Sequence, residues 1–196
     1  MPAPLQTGTF LISSIGLEDP TFTRTVILLL KHHPEEVTLG VIINRPLGEH
    51  LKMYPSDELK NLANGLESGR QSSGMFYRGG PVEPSSLIFL HRIISASEDS
   101  TCIVEGLYAG GDLDLLRTNM AVIDDNIPLL RFYLGFANWA PGQLENEISV
   151  GAWILCPANV DLVFSEEPDI VWQKALHSLG GKYAPMSFIP EDPRLN

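Results

Sequence analysis

The chain has 196 residues with an apolar share of 44%, a size that buries roughly 70% of the unfolded surface in one domain and needs no disulfide or metal to hold a core. Its 13 Lys and Arg stand against 24 Asp and Glu, for a net charge of −11. The positive charges form no run, which argues against direct nucleic-acid binding and against an anionic membrane surface. No apolar stretch is long enough to span a bilayer and no basic, apolar leader opens the chain, so a cytoplasmic location is expected. Cys102 and Cys156 both lie in apolar runs without a Cys-x-x-Cys pattern, which predicts two buried, inert thiols.

In chain order, the runs Thr9–Ser14, Thr25–Lys31 and Thr38–Asn44 read as strands, the second buried on both faces, with Leu17–Pro20 as a turn and His33–Glu36 as a hairpin-like loop. Leu59, Leu62 and Leu66 predict a helix over Ser56–Leu66, followed by a loop over Glu67–Gly74. Met75–Arg78 and Leu87–His91 read as strands, and Thr101–Glu105 with Leu107-Tyr108 as a hairpin. Asp112 is placed to cap a helix running to about Ala121. Leu129–Ala137 is apolar enough for either a strand or a helix. Pro141 opens a short helix carrying Leu144 and Ile148, Ala152–Cys156 and Val160–Phe164 read as strands, and Pro168–Leu179 as a last helix stopped by Gly180. Residues 1–180 are expected to form a single α/β (α+β) domain, and residues 181–196 a tail.

Three segments then stand out: Gly16–Val26 with Gly40–Leu47, Tyr77–Val82, and Gly135–Glu145. In order and spacing they resemble the AlgH/YqgE family, also called DUF179 or UPF0301, over roughly Gly8 to Gly180. The resemblance implies a large, curled mixed sheet flanked by helices, and names no reaction. Asn138 and Ala140 stand where the family pattern usually has glycines. Asn tolerates a positive φ, so Asn138 is expected to keep such a turn.

Two arginines meet chain-breaking elements at strand ends. Asn44-Arg45-Pro46 ends a buried strand, which puts Arg45 at the rim of the sheet, where open α/β sheets hold ligands. Arg78 precedes Gly79-Gly80, whose flexible backbone suits an anion nest. Trp139 and Gln143 flank a helix start that favours anions, although Glu145 and Glu147 already occupy its first turn. Each of these residues also has a purely structural reading, as an ion pair, a turn or a core anchor. No metal or other cofactor is expected, because His32, His33, His50, His91 and His177 show no ligand spacing. No nucleophile elbow occurs.

Three readings stay open. The first is a non-catalytic binding or regulatory protein that holds a small anion or a protein partner's carboxylate through Asn44, Arg45, Arg78, Gly79, Gly80, Trp139 and Gln143. The second is a hydrolase or transferase of an anionic substrate with His91 or Asp19 as base. The third is an interaction scaffold that pairs as a homodimer.

Overall fold

The computed structural model describes residues 3–48, 50, 75–93, 99–112, 114 and 130–189. The predicted helices over Ser56–Leu66 and from Asp112 to about Ala121, and the loop Glu67–Gly74, lie wholly or largely outside these residues. The strands are β1 (Thr9–Ser13), β2 (Val26–Lys31), β3 (Thr38–Ile42), β4 (Phe76–Arg78), β5 (Val82–His91), β6 (Thr101–Val104), β7 (Leu107–Ala109), β8 (Leu130–Trp139) and β9 (Trp153–Pro157). They form one 9-stranded sheet in the order β6-β7-β5-β8-β3-β2-β1-β9, with β4 also on β8. The β4–β8 pair is parallel and the others are antiparallel, so the sheet is mixed.

Register shifts in β2, β5 and β6 increase the local twist. The sheet curls until β6 reaches the start of β1: a Cβ on Gly8 would stand 2.4 Å from the Val104 side chain. Period-two alternation sends Phe10, Ile12, Val26, Leu28 and Val41 to one face. There they meet the helices α2 (Val160–Val163) and α3 (Val171–Ser178), through Val163, Val171, Trp172 and Ala175. Leu11, Ile27, Leu29 and Ile42 go to the other face, with Trp139, Trp153 and Leu144 of α1 (Gln143–Ser149). Covering both faces explains why β2 reads as a continuous apolar run.

Several sequence expectations are corrected. Val160–Phe164 is a helix, because Asn159 caps it by accepting from Asp161 N and Leu162 N, a side-chain bond that outweighs two β-branched residues. The apolar run that the sequence leaves open between strand and helix is a strand over Leu130–Trp139, because both its edges find partners in β3, β4 and β5. Asn138 lies inside that strand opposite Leu39 and makes no left-handed turn. Residues 168–179 divide into a 3-10 turn, Pro168–Ile170, and α3. After Gly180 the chain packs back: Tyr183 and Met186 lie against the core, and a second 3-10 turn, Pro185–Phe188, lies beside α3. Cys156 is buried, whereas Cys102 is exposed, because the apolar run that contains it is an edge strand. Among the described residues no helix is long and apolar enough to cross a membrane.

Candidate functional site

The segment leading into β2 is fixed from several sides. Thr25 N donates to Ser13 Oγ and Thr25 Oγ1 donates to Phe22 O. Asn44, buried beyond the end of β3, accepts from Val26 N and donates its Nδ2 to Arg24 O, each at 2.9 Å. Its amide thus stands in for the next rung of the ladder. The result is a backbone outlier: Arg24 has φ 51. A left-handed arginine costs about 1–2 kcal/mol, and such strain persists only where the surroundings over-determine it.

Arg24 shares a cavity with Arg45. The two side chains line one cavity of about 330 Å³ together with Asp169, Trp172, Gln173, Phe188 and Ile189. Arg24 stacks over the Trp172 ring at 4.7 Å and donates to Ile189 O. Arg45 donates to Thr23 O. Trp172, the buried floor, is locked by an indole bond to Ser13 O at 3.0 Å. Asp169 is exposed at the rim. The Arg24 guanidinium over this aromatic floor, with Arg45 lining the same cavity, offers planar, fork-shaped donors suited to carboxylate or phosphate.

The structure joins Arg45 to Arg78 only through the backbone, where Arg78 N donates to Arg45 O at 2.8 Å. The Arg78 side chain is exposed and does not line the cavity. Gly79 and Gly80 lie where β3 and β4 share one edge of β8. Gly79 N donates to Leu134 O and Gly79 O accepts from Ile42 N. A Cβ on Gly79 would stand 2.2 Å from Gly135 O, and one on Gly80 2.1 Å from Phe136 C. These glycines let three backbones pass at close range.

Trp139 and Gln143 belong to a different corner. Trp139 pairs with Thr38 at the far end of β3 from Arg45, which puts the corners about 20 Å apart at ~3.3 Å per residue. There Glu147 accepts from Trp139 Nε1 at 2.9 Å, Trp153 Nε1 at 2.7 Å and Gln143 Nε2 at 2.9 Å. Gln143 Oε1 accepts in turn from Ala140 N.

The two base candidates are engaged elsewhere. Asp19 Oδ1 accepts from Thr21 N in its own turn. His91 is fully buried, with Nδ1 2.8 Å from Ile93 O and Nε2 3.1 Å from Gly110 O, and burial pushes its imidazole below the ordinary value. Neither lines the cavity. Buried Arg131 is structural: it donates to Val163 O and Ser165 O at the end of α2 and stacks over Tyr77 at 4.5 Å.

Sequence reasoning missed Arg24 and Trp172. Nothing local to Thr23-Arg24-Thr25 announces a left-handed residue, because the cause is an amide contributed by the next strand. Trp172 needed the packing of α3 on the sheet.

A family model described as AlgH-like, DUF179, matches residues 10–184. UPF0301 proteins of Chlamydia caviae and Chlorobium phaeobacteroides are 34% and 32% identical to this chain, over 99% and 98% of it and 97% and 96% of their own length. The solution structure of the AlgH protein from Pseudomonas aeruginosa matches with a TM-score of 0.63 and 26% identity over 98% of both chains. A crystal structure of a Corynebacterium diphtheriae protein matches with a TM-score of 0.73 at 20% identity, over 96% of this chain and 95% of that one, a likeness of fold.

Proposed function

This chain belongs to the AlgH-like family, and we propose that it is a non-catalytic binding protein that holds a small anion, or a protein partner's carboxylate, between Arg24 and Arg45. The observation that carries the reading is the strained Arg24, held by Asn44 so that it shares a cavity with Arg45. Strain of this kind collects at ligand sites. The net charge of −11 opposes anions at long range, so affinity has to come from short, charge-assisted bonds inside the cavity. It should weaken as added salt screens them.

A thermal-shift panel of phosphates, nucleotides and organic acids tests the reading. A ligand at ten times its Kd raises stability by about 1.4 kcal/mol, so at least one anion should raise the Tm of the wild type and not that of Arg45→Ala. A flat panel, or equal shifts in both proteins, would refute it.

A further inference from the structure

The cavity that Arg24 lines also carries a carboxylate, Asp169, and the two do not pair. No carboxylate oxygen among the described residues lies within 4.0 Å of Arg24. The Asp169 carboxylate accepts no hydrogen bond and joins no ion pair among them either. Lys174, on the next turn, is taken by Glu167 at 2.8 Å. Arg45 has partners besides Thr23 O. An arginine and an aspartate facing one space close on each other unless each is held back. Arg24 is held by the Trp172 ring and by Ile189 O, and Asp169 by the 3-10 turn Pro168–Ile170. One cavity thus presents a fixed cation and a fixed anion kept apart.

We propose that the ligand is a free α-amino acid with an apolar side chain, its carboxylate on Arg24 and its ammonium on Asp169. This rests on the reading of the arginine cavity as an anion site and names the ligand class. A plain anion at Arg24 would be repelled by Asp169, and a plain cation at Asp169 would meet two guanidinium groups. A zwitterion answers both charges. It carries no net charge, so the −11 of the chain does not oppose its approach. The ammonium has no aromatic seat to compete with Asp169, because Arg24 covers the Trp172 ring, which is 2% exposed. Size narrows the class: about 330 Å³ lies at the bottom of the range of ligand pockets, roughly 300 to 1,000 Å³, which suits one amino acid better than a nucleotide. The rest of the lining fits the same ligand. The Gln173 amide both donates and accepts, so it serves either charged end. Phe188 and Ile189, 75% and 41% exposed, offer apolar surface to the side chain.

The test titrates the full chain with leucine, glycine, N-acetyl-leucine, which lacks the ammonium, and leucinamide, which lacks the carboxylate. Acetate and inorganic phosphate serve as plain anions. Calorimetry gives affinity and the Trp172 indole N–H resonance gives location. Leucine should bind at least about tenfold more tightly than either N-acetyl-leucine or leucinamide, the worth of one charge-assisted bond. It should bind about fivefold more tightly than glycine, as expected for a half-buried leucine side chain. Asp169→Asn, at an exposed position, should bring leucine down to the level of N-acetyl-leucine, whose own affinity should not fall. Arg24→Asn, which tolerates the positive φ, should weaken leucine and N-acetyl-leucine alike by about tenfold or more.

If acetate, phosphate or N-acetyl-leucine binds and leucine binds no more tightly, or if Asp169→Asn leaves leucine unchanged, the amino acid is refuted and the anion site stands. If none of the six compounds binds, both readings fall. Leucinamide binding as tightly as leucine would overturn the carboxylate on Arg24 and leave Asp169 as a seat for a cation.

Discussion

Two corners of the sheet combine polar and aromatic residues at strand ends, and they have opposite fates. At the tryptophan corner one carboxylate, Glu147, is claimed by two indoles and an amide. Both indole N–H groups and the Gln143 amide find an acceptor within the protein. At the arginine corner Arg45 donates to Thr23 O and Arg24 to Ile189 O, and both side chains border a cavity. A guanidinium carries five N–H donors, and Arg24, stacked on Trp172 and bonded to Ile189 O, offers donors that a carboxylate would use. Residue type alone therefore does not mark a site. What separates the corners is where the carboxylate sits: Glu147 lies within the tryptophan cluster, whereas Asp169 stands exposed beside the cavity.

The largest expected effect breaks the saturated corner. Glu147→Ala leaves two indole N–H groups without their acceptor, at about 3–4 kcal/mol. Denaturant unfolding should show that loss, with anion binding unchanged. Glu147→Gln keeps an acceptor and should cost about 1 kcal/mol.

Next comes Asn44→Ala, which orphans Val26 N and Arg24 O. It should cost about 2–3 kcal/mol by the same measurement. Because it also releases the backbone at Arg24, anion affinity should fall with it, and that coupling is absent at Glu147.

Third is the pair Arg45→Ala and Arg78→Ala. Arg45→Ala should lower anion affinity about tenfold or more by calorimetry, the worth of one charge-assisted bond, at a stability cost within about 1 kcal/mol. Arg78→Ala, at an exposed position off the cavity, should change neither by more than about 0.5 kcal/mol.

Smallest is an acid effect at His91, which belongs to neither corner. Burial holds its pKa below the ordinary 6.5, so the unfolded chain takes up the proton first. The stability contributed by neutral His91 is complete above pH 6.5 and is lost as pH falls towards the folded value. Melting curves of His91→Asn should show a shallower acid slope than wild type.

Much of the sheet was legible because apolar period and turn chemistry act locally. Thr9 to Ser13, the double-faced β2 and the helix with Leu144 and Ile148 follow from short-range pattern. Val160–Phe164 reads as a strand by its β-branched residues, and its first four residues fold as a helix because Asn159 caps them. The candidate site was half legible. Arg45 could be found, since a strand followed by proline puts a side chain at a rim. Arg24 could not, because its φ is imposed by Asn44 across the sheet. Gly79-Gly80 attract attention as a flexible pair, yet their reason is the Gly135-Phe136 backbone, distant in sequence.

The three tryptophans offer one direct measurement, because Trp139 and Trp153 sit at the saturated corner and Trp172 floors the cavity. Their indole N–H resonances can be followed while the full chain is titrated with acetate and inorganic phosphate. The expected result is a saturable shift of the Trp172 signal alone, with Trp139 and Trp153 stationary. A stationary Trp172, or movement of the other two in its place, would contradict an anion site between Arg24 and Arg45.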